Sequence, residues 1–259
     1  MAKKIRFKTI SLGSEPDQPD IEELTGFIRA MKGQEADLIT YYLTRSLGGQ
    51  KEAGISSPAG GGLFMQSRFG GGISCSSEGC HVSTSVFEAD AQTMVRIAGP
   101  VRSVLPSPGL LPGSPDPVDD ERCAEFCDAY AQVLRTMRDQ KITGHILHTN
   151  EIREIEVELL SSQKTIFVIP EGSITVQSDL LEFQTTIALT SNRVRFLDEL
   201  IEQYDIRTLI LIEPDQEGYK GALMHLDPDQ IQVGGYGKGE ENRYWKRIAD
   251  DAETTLPTD

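Results

Sequence analysis

The sequence predicts an α/β protein with an N-terminal α+β portion, a Gly/Pro-rich middle, and a C-terminal α/β layer around a largely parallel sheet. Two segments carry this prediction. After an initial threonine, residues 165–169 and 208–212 are entirely apolar, which is typical of strands buried on both faces. Helical patterns separate these strands along the chain. Apolar strands that alternate with helices indicate a parallel sheet covered by helices.

The N-terminal elements follow from apolar spacing. Residues 5–10 resemble a strand, and apolar side chains recur every three or four residues over 21–31, which predicts a helix that Gly33 ends. A second helix follows over residues 38–47. Residues 63–69 lie between two glycine triplets, and they predict either a short strand bounded by turns or a mobile loop.

Two shifts in composition mark the middle of the chain. Residues 48–86 contain 10 of the 24 glycines, and residues 99–117 contain six of the 13 prolines. A proline-rich run does not continue a helix or a central strand, so residues 106–118 are predicted to be an exposed connection. This divides the chain into an N-terminal portion, 1–105, and a C-terminal domain, 118–259.

The C-terminal portion alternates helix and strand signals. The sequence predicts helices over 117–140 and 191–204 and from residue 240, and strands over 143–148, 165–169 and 208–212. Asp116 is the expected cap of the first helix, with Pro117 in its first turn. Residues 151–162 fit either a helix or a strand.

The charge balance limits the classes of partner. With 25 Lys and Arg against 40 Asp and Glu, the formal net charge is -15 and the pI is about 4.7. Such a surface repels nucleic acids and anionic membranes, except at a local basic patch. The chain also lacks the apolar run of a membrane helix or secretion signal, so we expect a soluble, cytoplasmic protein.

Polar residues lie on or directly after three of the predicted strands. His145 and His148 lie on the first, Glu171 follows the second, and Glu213 and Asp215 follow the third. Open α/β sheets bind ligands at the carboxyl edge of their strands, so these carboxylates are candidates to hold Mg²⁺ or to act as acid and base. Acidic residues at these places are also common turn formers and helix caps.

The four cysteines form two close pairs. Cys75 and Cys80 accompany His81 in a loop, and Cys123 and Cys127 lie one turn apart on a predicted helix. Together they are candidate ligands of zinc or an iron-sulfur cluster. The spacing matches no standard zinc motif, and the helical pair fits core packing. A redox disulfide and two ordinary thiols remain open for the loop pair.

A glycine-rich run at residues 234–239 precedes the last predicted helix. Such a turn exposes backbone donors to an anion, and Lys238 would add a positive charge. The spacing of a Walker A loop is absent, and the alternative is a flexible turn.

The segment after this run combines cations with aromatic rings: Arg243, Tyr244, Trp245, Lys246 and Arg247. These residue types are frequent at protein interfaces and can stack on single-stranded nucleic acid. They therefore form a candidate partner-binding surface. The alternative is a terminal helix that docks its rings onto its own domain.

Because no catalytic motif is recognised, the leading functional prediction is a non-catalytic binding or assembly protein with a protein partner or a second copy of itself. The rival is a metal-dependent hydrolase or transferase that acts on a small phosphorylated or carboxylated molecule, with Glu171, Glu213 and Asp215 at its site. A third alternative is a Cys/His metalloprotein. The candidate cofactors are zinc, an iron-sulfur cluster and Mg²⁺.

Overall fold

The structure is a computed structural model, and it describes residues 3–32, 36–76, 79–169 and 173–256. Its strands are β1 Lys3–Arg6, β2 Lys8–Pro16, β3 Ala59–Gly61, β4 Ile73–Ser76, β5 Gly79–Val82, β6 Arg102–Pro106, β7 His145–His148, β8 Thr165–Val168, β9 Thr186–Thr190, β10 Thr208–Ile212, β11 Ile231–Gly239 and β12 Glu253–Leu256. Its α-helices are α1 Ile21–Ala30, α2 Leu38–Ala53, α3 Gln66–Gly72, α4 Ser85–Ala98, α5 Asp120–Asp139, α6 Glu154–Leu160, α7 Ile174–Asp179, α8 Leu197–Gln203, α9 Gln216–Leu223 and α10 Glu241–Asp251.

Eight parallel strands follow one another in chain order around a ring. One half of the ring has the order β3-β6-β7-β8, and the other has the order β2-β11-β10-β9, with parallel pairing throughout. Helices connect most successive strands. The predicted α/β class with parallel sheets is thus confirmed, and the two sheets together form a β/α barrel.

Different contacts join the two halves at their two seams. At the first seam, the Ser11 amide donates to the Ser57 carbonyl at 3.1 Å and the Ser57 amide donates to the Thr9 carbonyl at 2.9 Å. At the second seam, between β8 and β9, the Gln184 side chain accepts from the Phe167 amide at 2.8 Å and donates to the Phe167 carbonyl at 3.0 Å. The Gln184 side-chain amide thus forms the two hydrogen bonds with Phe167 that a neighbouring strand would otherwise form.

The barrel interior is filled by small and branched apolar side chains from seven of the eight strands: Ile10, Leu12, Ala59, Val104, Ile146, Ile166, Val168, Ala188 and Ile210. Two further clusters lie between the ring and its helices, one around the first half and one around the second. The interior is therefore a packed core, and a ligand has room at its end.

The structure corrects four local predictions. Residues 63–69 form a short 3-10 turn and most of α3, because their apolar faces pack at helical spacing. Residues 102–106, inside the proline-rich run, form β6, which is a central strand with its proline at the last position. The glycine-rich run 234–239 belongs to β11. Residues 191–196 are a 3-10 turn before α8.

Other boundaries agree closely with the sequence patterns. Helix α5 begins at Asp120, capped by Asp119, whose carboxylate accepts from the Arg122 amide at 3.1 Å. Asp116, the expected cap, instead accepts from the Val118 amide at 3.1 Å in the preceding turn. The ambiguous segment 151–162 contains helix α6.

The proposed division into portions 1–105 and 118–259 stays a prediction. In the ring, β6 of the first portion pairs with β7 of the second, with Val104 opposite Ile146. Outside the ring, β1 pairs with β12 and β4 pairs with β5, both antiparallel. Within the described ranges, no helix has both the length and the apolar character that crossing a bilayer requires.

Candidate active site at the carboxyl edge of the barrel

A cavity of about 930 Å³ opens at the carboxyl ends of the barrel strands. Its walls come from both halves of the ring, and its residues lie at or just after the ends of the strands. The lining residues are Glu15, Leu63, His148, Thr149, Asn150, Ile169, Thr190, Ser191, Asn192, Ile212, Glu213, Asp215, Tyr236, Lys238 and Tyr244. This is the edge at which parallel α/β barrels bind their ligands.

His148 lies on the floor of the cavity. It follows the interior residue Ile146 by two positions, so its side chain points into the barrel. Its Nε2 atom lies 2.7 Å from the carbonyl oxygen of Leu12, and only 5% of the residue is exposed. A carbonyl oxygen only accepts, so Nε2 carries the proton and Nδ1 keeps the lone pair.

Burial lowers the pKa of His148 to about 4, although the hydrogen bond to Leu12 opposes this change. The imidazole is therefore neutral near pH 7, and its tautomer is fixed by the Leu12 carbonyl. At neutral pH such an imidazole keeps Nδ1 as an acceptor for a bound molecule, and its low pKa makes it a weak base.

Tyr236 stands beside His148, with 5.0 Å between the ring centroids. Its hydroxyl accepts from the Leu63 amide at 3.1 Å. Burial raises the pKa of Tyr236, and the nearby Glu15 carboxylate raises it further. The phenol therefore stays protonated, with the Glu15 carboxylate as an acceptor beside it.

Glycines leave the room that Tyr236 needs. A Cβ atom at Gly62 would lie 2.7 Å from the Tyr236 hydroxyl and 2.3 Å from the Ser14 carbonyl oxygen. Gly13 has a φ of +101°, and a Cβ there would lie 3.1 Å from the Tyr236 ring. These glycines permit close packing in the barrel, which accounts for part of the glycine-rich sequence.

Glu213 directly follows β10 and has a left-handed conformation, with a φ of +45°. Its carboxylate accepts from the Tyr244 hydroxyl at 2.8 Å and from Arg247 at 3.2 Å, and both donors belong to α10. A Cβ at the adjacent Gly235 would lie 2.1 Å from the Tyr244 hydroxyl, so glycine is needed for this approach. Unfavourable backbone angles in non-glycine residues occur often at functional sites.

Asp215 lines the same cavity, but its carboxylate caps a helix. It is the N-cap of α9, and its carboxylate accepts from the Gly218 amide at 2.8 Å. This backbone hydrogen bond, together with the Ser191 hydroxyl, lowers the pKa of Asp215. Glu213 and Asp215 thus share a cavity wall while their carboxylates bind different partners.

The sequence also predicts Glu171 and His145 as site residues at the strand ends. Glu171 lies outside the described residues. His145 points away from the cavity: its Nδ1 atom lies 2.7 Å from the Ser103 hydroxyl on the outer face of the ring, and burial lowers its pKa to about 3. In the described part of the chain, no three His, Cys, Asp or Glu side chains form a group that could hold a metal ion.

The cysteines do not form the predicted zinc or iron-sulfur site. Cys75 and Cys80 are bonded to each other, which removes both thiolates as ligands. Cys123 and Cys127 are buried on α5, and burial raises the pKa of Cys127 to about 12. His81 is exposed on β5.

The Arg243–Arg247 segment lies on α10 and turns mainly toward its own barrel. Trp245 is fully buried, while Tyr244 and Arg247 bind Glu213. Arg243 is exposed and lies 3.6 Å from Glu240, and Lys246 is exposed. Docking of the rings onto the parent domain is thus the observed arrangement.

Sequence reasoning missed the roles of Glu15, Tyr236 and Tyr244 in the cavity. Tyr236 lies in a glycine-rich run, which we interpreted as a turn before a helix. The available signal was the alternation of β11, since Gly234 and Tyr236 both face inward from a strand.

The sequence matches no protein-family model and no curated protein. Among solved structures, 27 chains match. One is a B12-independent methionine synthase from Shewanella sp. W3-18-1 in complex with selenomethionine. It has a TM-score of 0.64 and 15% identity, over 95% of this chain and 96% of that chain.

The likeness shows a shared fold. The prediction of a non-catalytic binding or assembly protein is contradicted, because nearly the whole chain superimposes on an enzyme. In the Gly/Pro-rich middle, residues 48–76 contain the end of α2, strand β3, helix α3 and strand β4, whereas residues 112–119 form a mostly exposed connection.

Proposed function

We propose that this protein is a hydrolase or transferase that acts on a small polar molecule in the cavity at the carboxyl edge of the barrel. The observation that carries the proposal is His148, a neutral imidazole on the cavity floor whose proton is held on Nε2 by the Leu12 carbonyl. Its Nδ1 lone pair is the proton acceptor. General base catalysis by such a group contributes about 10²- to 10⁴-fold to a rate.

The lining suggests the substrate class. Lys238 offers a cation at the rim for a carboxylate or phosphate, while Glu15 and Glu213 offer acceptors for an amino or hydroxyl group. We therefore favour a carboxylated molecule that also carries hydrogen-bond donors. The similar solved structure holds selenomethionine, a molecule with a carboxylate and an amino group.

In the proposed reaction, Lys238 orients the anionic group and Tyr236 donates a hydrogen bond from the wall. His148 takes the proton released when the nucleophile, water or a hydroxyl or thiol of the acceptor, attacks. Glu213, held by Tyr244 and Arg247, stabilises positive charge on the substrate. Dependence on Mg²⁺ and a cytoplasmic location stay predictions from the sequence.

The test is turnover of a panel of amino, hydroxy and phosphorylated acids, followed by mass spectrometry with and without Mg²⁺. His148→Gln keeps a donor for the Leu12 carbonyl but cannot accept the proton, so kcat should fall about 100-fold or more. His81→Gln is the matched control, because His81 is exposed on β5 and does not line the cavity.

Lys238→Met should separate binding from chemistry. Loss of one charged hydrogen bond weakens binding about tenfold or more, so KM should rise while kcat changes little. The proposal fails if a turned-over compound is processed equally well by wild type and His148→Gln. It also fails if no compound of the panel binds.

A further inference from the structure

A disulfide joins the two strands of the hairpin formed by β4 and β5. Cys75 and Cys80 are directly opposite each other in the antiparallel register, and their sulfur atoms are bonded. The hairpin lies outside the ring, next to the beginning of α5. Neither cysteine is among the residues that line the cavity at the barrel mouth.

The two sulfurs differ in access. Cys75 is exposed, whereas Cys80 is half-buried and packs against the larger core cluster. A small cavity of about 260 Å³ is lined by both cysteines and by Arg122, Asp116 and Asp119. A small reagent can therefore reach the bond from solvent, and it meets Cys75 first.

The other two thiols provide a contrast within the same chain. Cys123 is 3% exposed and Cys127 is 1% exposed. Burial raises the pKa of both thiols, so the reactive thiolate form is scarce. Any reagent that acts on the folded protein should therefore discriminate between the two pairs.

We propose that the Cys75–Cys80 bond is a site of reversible exchange with low-molecular-weight thiols. The thiolate of the reagent attacks Sγ of Cys75 and forms a mixed disulfide, while the bond to Cys80 breaks and Cys80 leaves as a thiolate that takes a proton from water. A second reagent thiol then attacks the mixed disulfide and releases Cys75. Two reagent thiols are oxidised to one disulfide, and the protein pair is reduced by two electrons.

The charges around the site have definite roles. Arg122 lines this cavity together with both cysteines, and its Nη1 donates to the Ser76 carbonyl at 2.8 Å. The Asp119 carboxylate caps α5, and the Asp116 carboxylate accepts a hydrogen bond in the turn before it. A reversible bond also fits the cytoplasmic location predicted by the sequence, because reducing compartments keep few permanent disulfides.

Reduction should act locally. The two strands have four residues each, and an isolated two-stranded hairpin is marginally stable. Without the covalent bond, the hairpin is held by the contact between Arg122 and the Ser76 carbonyl and by the packing of Ile73, Cys80 and Val82 against the core. We therefore expect the hairpin to loosen while the barrel stays folded.

The experiment uses the full chain, first treated with oxidised glutathione and then with graded dithiothreitol, without denaturant. Iodoacetamide traps free thiols, and peptide mass spectrometry locates the label. Before reduction, none of the four cysteines should react. After reduction, Cys75 and Cys80 should label at least about tenfold faster than Cys123 and Cys127. Unchanged Trp245 fluorescence would show that the barrel remains folded.

Single variants test the direction of attack. In Cys80→Ser, oxidised glutathione should form an adduct at Cys75, and in Cys75→Ser the adduct at Cys80 should form about tenfold more slowly. Cys123→Ser is the control and should leave the pattern unchanged.

Three outcomes would overturn the proposal. The first is a bond that excess dithiothreitol reduces only after denaturation. The second is equal labelling of all four cysteines. The third is a wild-type protein in which oxidised glutathione leaves Cys75 and Cys80 unbonded. Each readout is independent of activity at the barrel mouth, so the failure of either proposal is recognisable by itself.

Discussion

Trp245 donates its indole N–H to the Oε2 atom of Glu241 at 2.6 Å, one turn earlier on α10. Trp245 is fully buried and Glu241 is 7% exposed. The second carboxylate oxygen of Glu241 is buried and has no hydrogen-bond partner among the described residues. The only tryptophan of the chain therefore reports directly on a buried carboxyl group.

Burial raises the pKa of Glu241 from 4.5 to about 7, against the effect of the Trp245 hydrogen bond. Below pH 4.5 both the folded and the unfolded chain hold this proton, so it makes no contribution to stability. Between pH 4.5 and 7 the unfolded chain releases it first, and the free energy of unfolding falls as the pH rises. Above pH 7 the full penalty remains, about 3 kcal/mol.

Glu241→Gln should remove this pH dependence. Relative to wild type, its free energy of unfolding should rise between pH 5 and pH 8 by up to about 3 kcal/mol. Urea unfolding followed by Trp245 fluorescence measures this difference. Glu240→Gln, an exposed neighbour, is the control and should match wild type at both pH values. A Glu241→Gln curve parallel to wild type would contradict the assignment.

Two glycine substitutions should have opposite effects. At Gly62, a Cβ atom would lie 2.3 Å from a carbonyl oxygen and 2.7 Å from the Tyr236 hydroxyl, so Gly62→Ala should lower the free energy of unfolding by about 1–3 kcal/mol. Gly70 lies in α3 with open space around it, so Gly70→Ala should raise that free energy by about 0.5–1 kcal/mol. Thermal and urea unfolding would distinguish them, and equal effects would refute the close approach at Gly62.

The seam between β8 and β9 should depend on one side chain. Gln184→Ala leaves the Phe167 amide and carbonyl without their hydrogen bonds, which should cost about 1–3 kcal/mol. It should also speed hydrogen exchange of the Phe167 amide. Gln163→Ala, in the exposed turn before β8, is the control. If both variants exchange alike at Phe167, the seam is held by other contacts.

An ion-pair network fixes α3 between its neighbours. Arg68 binds both carboxylate oxygens of Asp90, at 2.8 Å each, and also contacts Asp37. Asp90 is 2% exposed, so Arg68→Met should lower the free energy of unfolding by about 3–5 kcal/mol. Adding Asp90→Asn should restore part of this loss, because the unpaired buried charge is removed.

The control for this network is Arg207→Met, whose partner Asp205 is 65% exposed at the side chain. Exposed ion pairs contribute about 0–1 kcal/mol, so this change should be nearly neutral. If Arg68→Met lowers the free energy of unfolding no more than Arg207→Met does, the network is unimportant for stability.

The sequence predicts the elements whose signal is local. Strands β8 and β10 are apolar at every position after their first threonine, and α5 has an unbroken apolar stripe. Strand β3 has three residues, two of them glycine, and β11 contains Gly234, Gly235 and Gly237. Such strands form because neighbouring strands supply their hydrogen bonds, so single-sequence patterns do not reveal them or the closure of the ring.

The candidate site is likewise predictable only where its signal is local. The rule that ligands bind beyond strand ends selects His148, Glu213 and Asp215, and all three line the cavity. The tasks of these residues depend on distant partners. Leu12 fixes the tautomer of His148, and Tyr244 and Arg247 bind Glu213 from α10. Contacts between residues so far apart in the chain leave no spacing that a sequence pattern could show.

The hydrogen bond from His148 to Leu12 crosses the top of the packed barrel interior and closes the cavity from below. Among the described residues, the packed interior below this bond leaves the barrel mouth as the entrance and exit of the cavity. In the proposed reaction, a product must vacate the same passage before the next substrate enters. Steady-state kinetics should accordingly show product inhibition that is competitive with substrate.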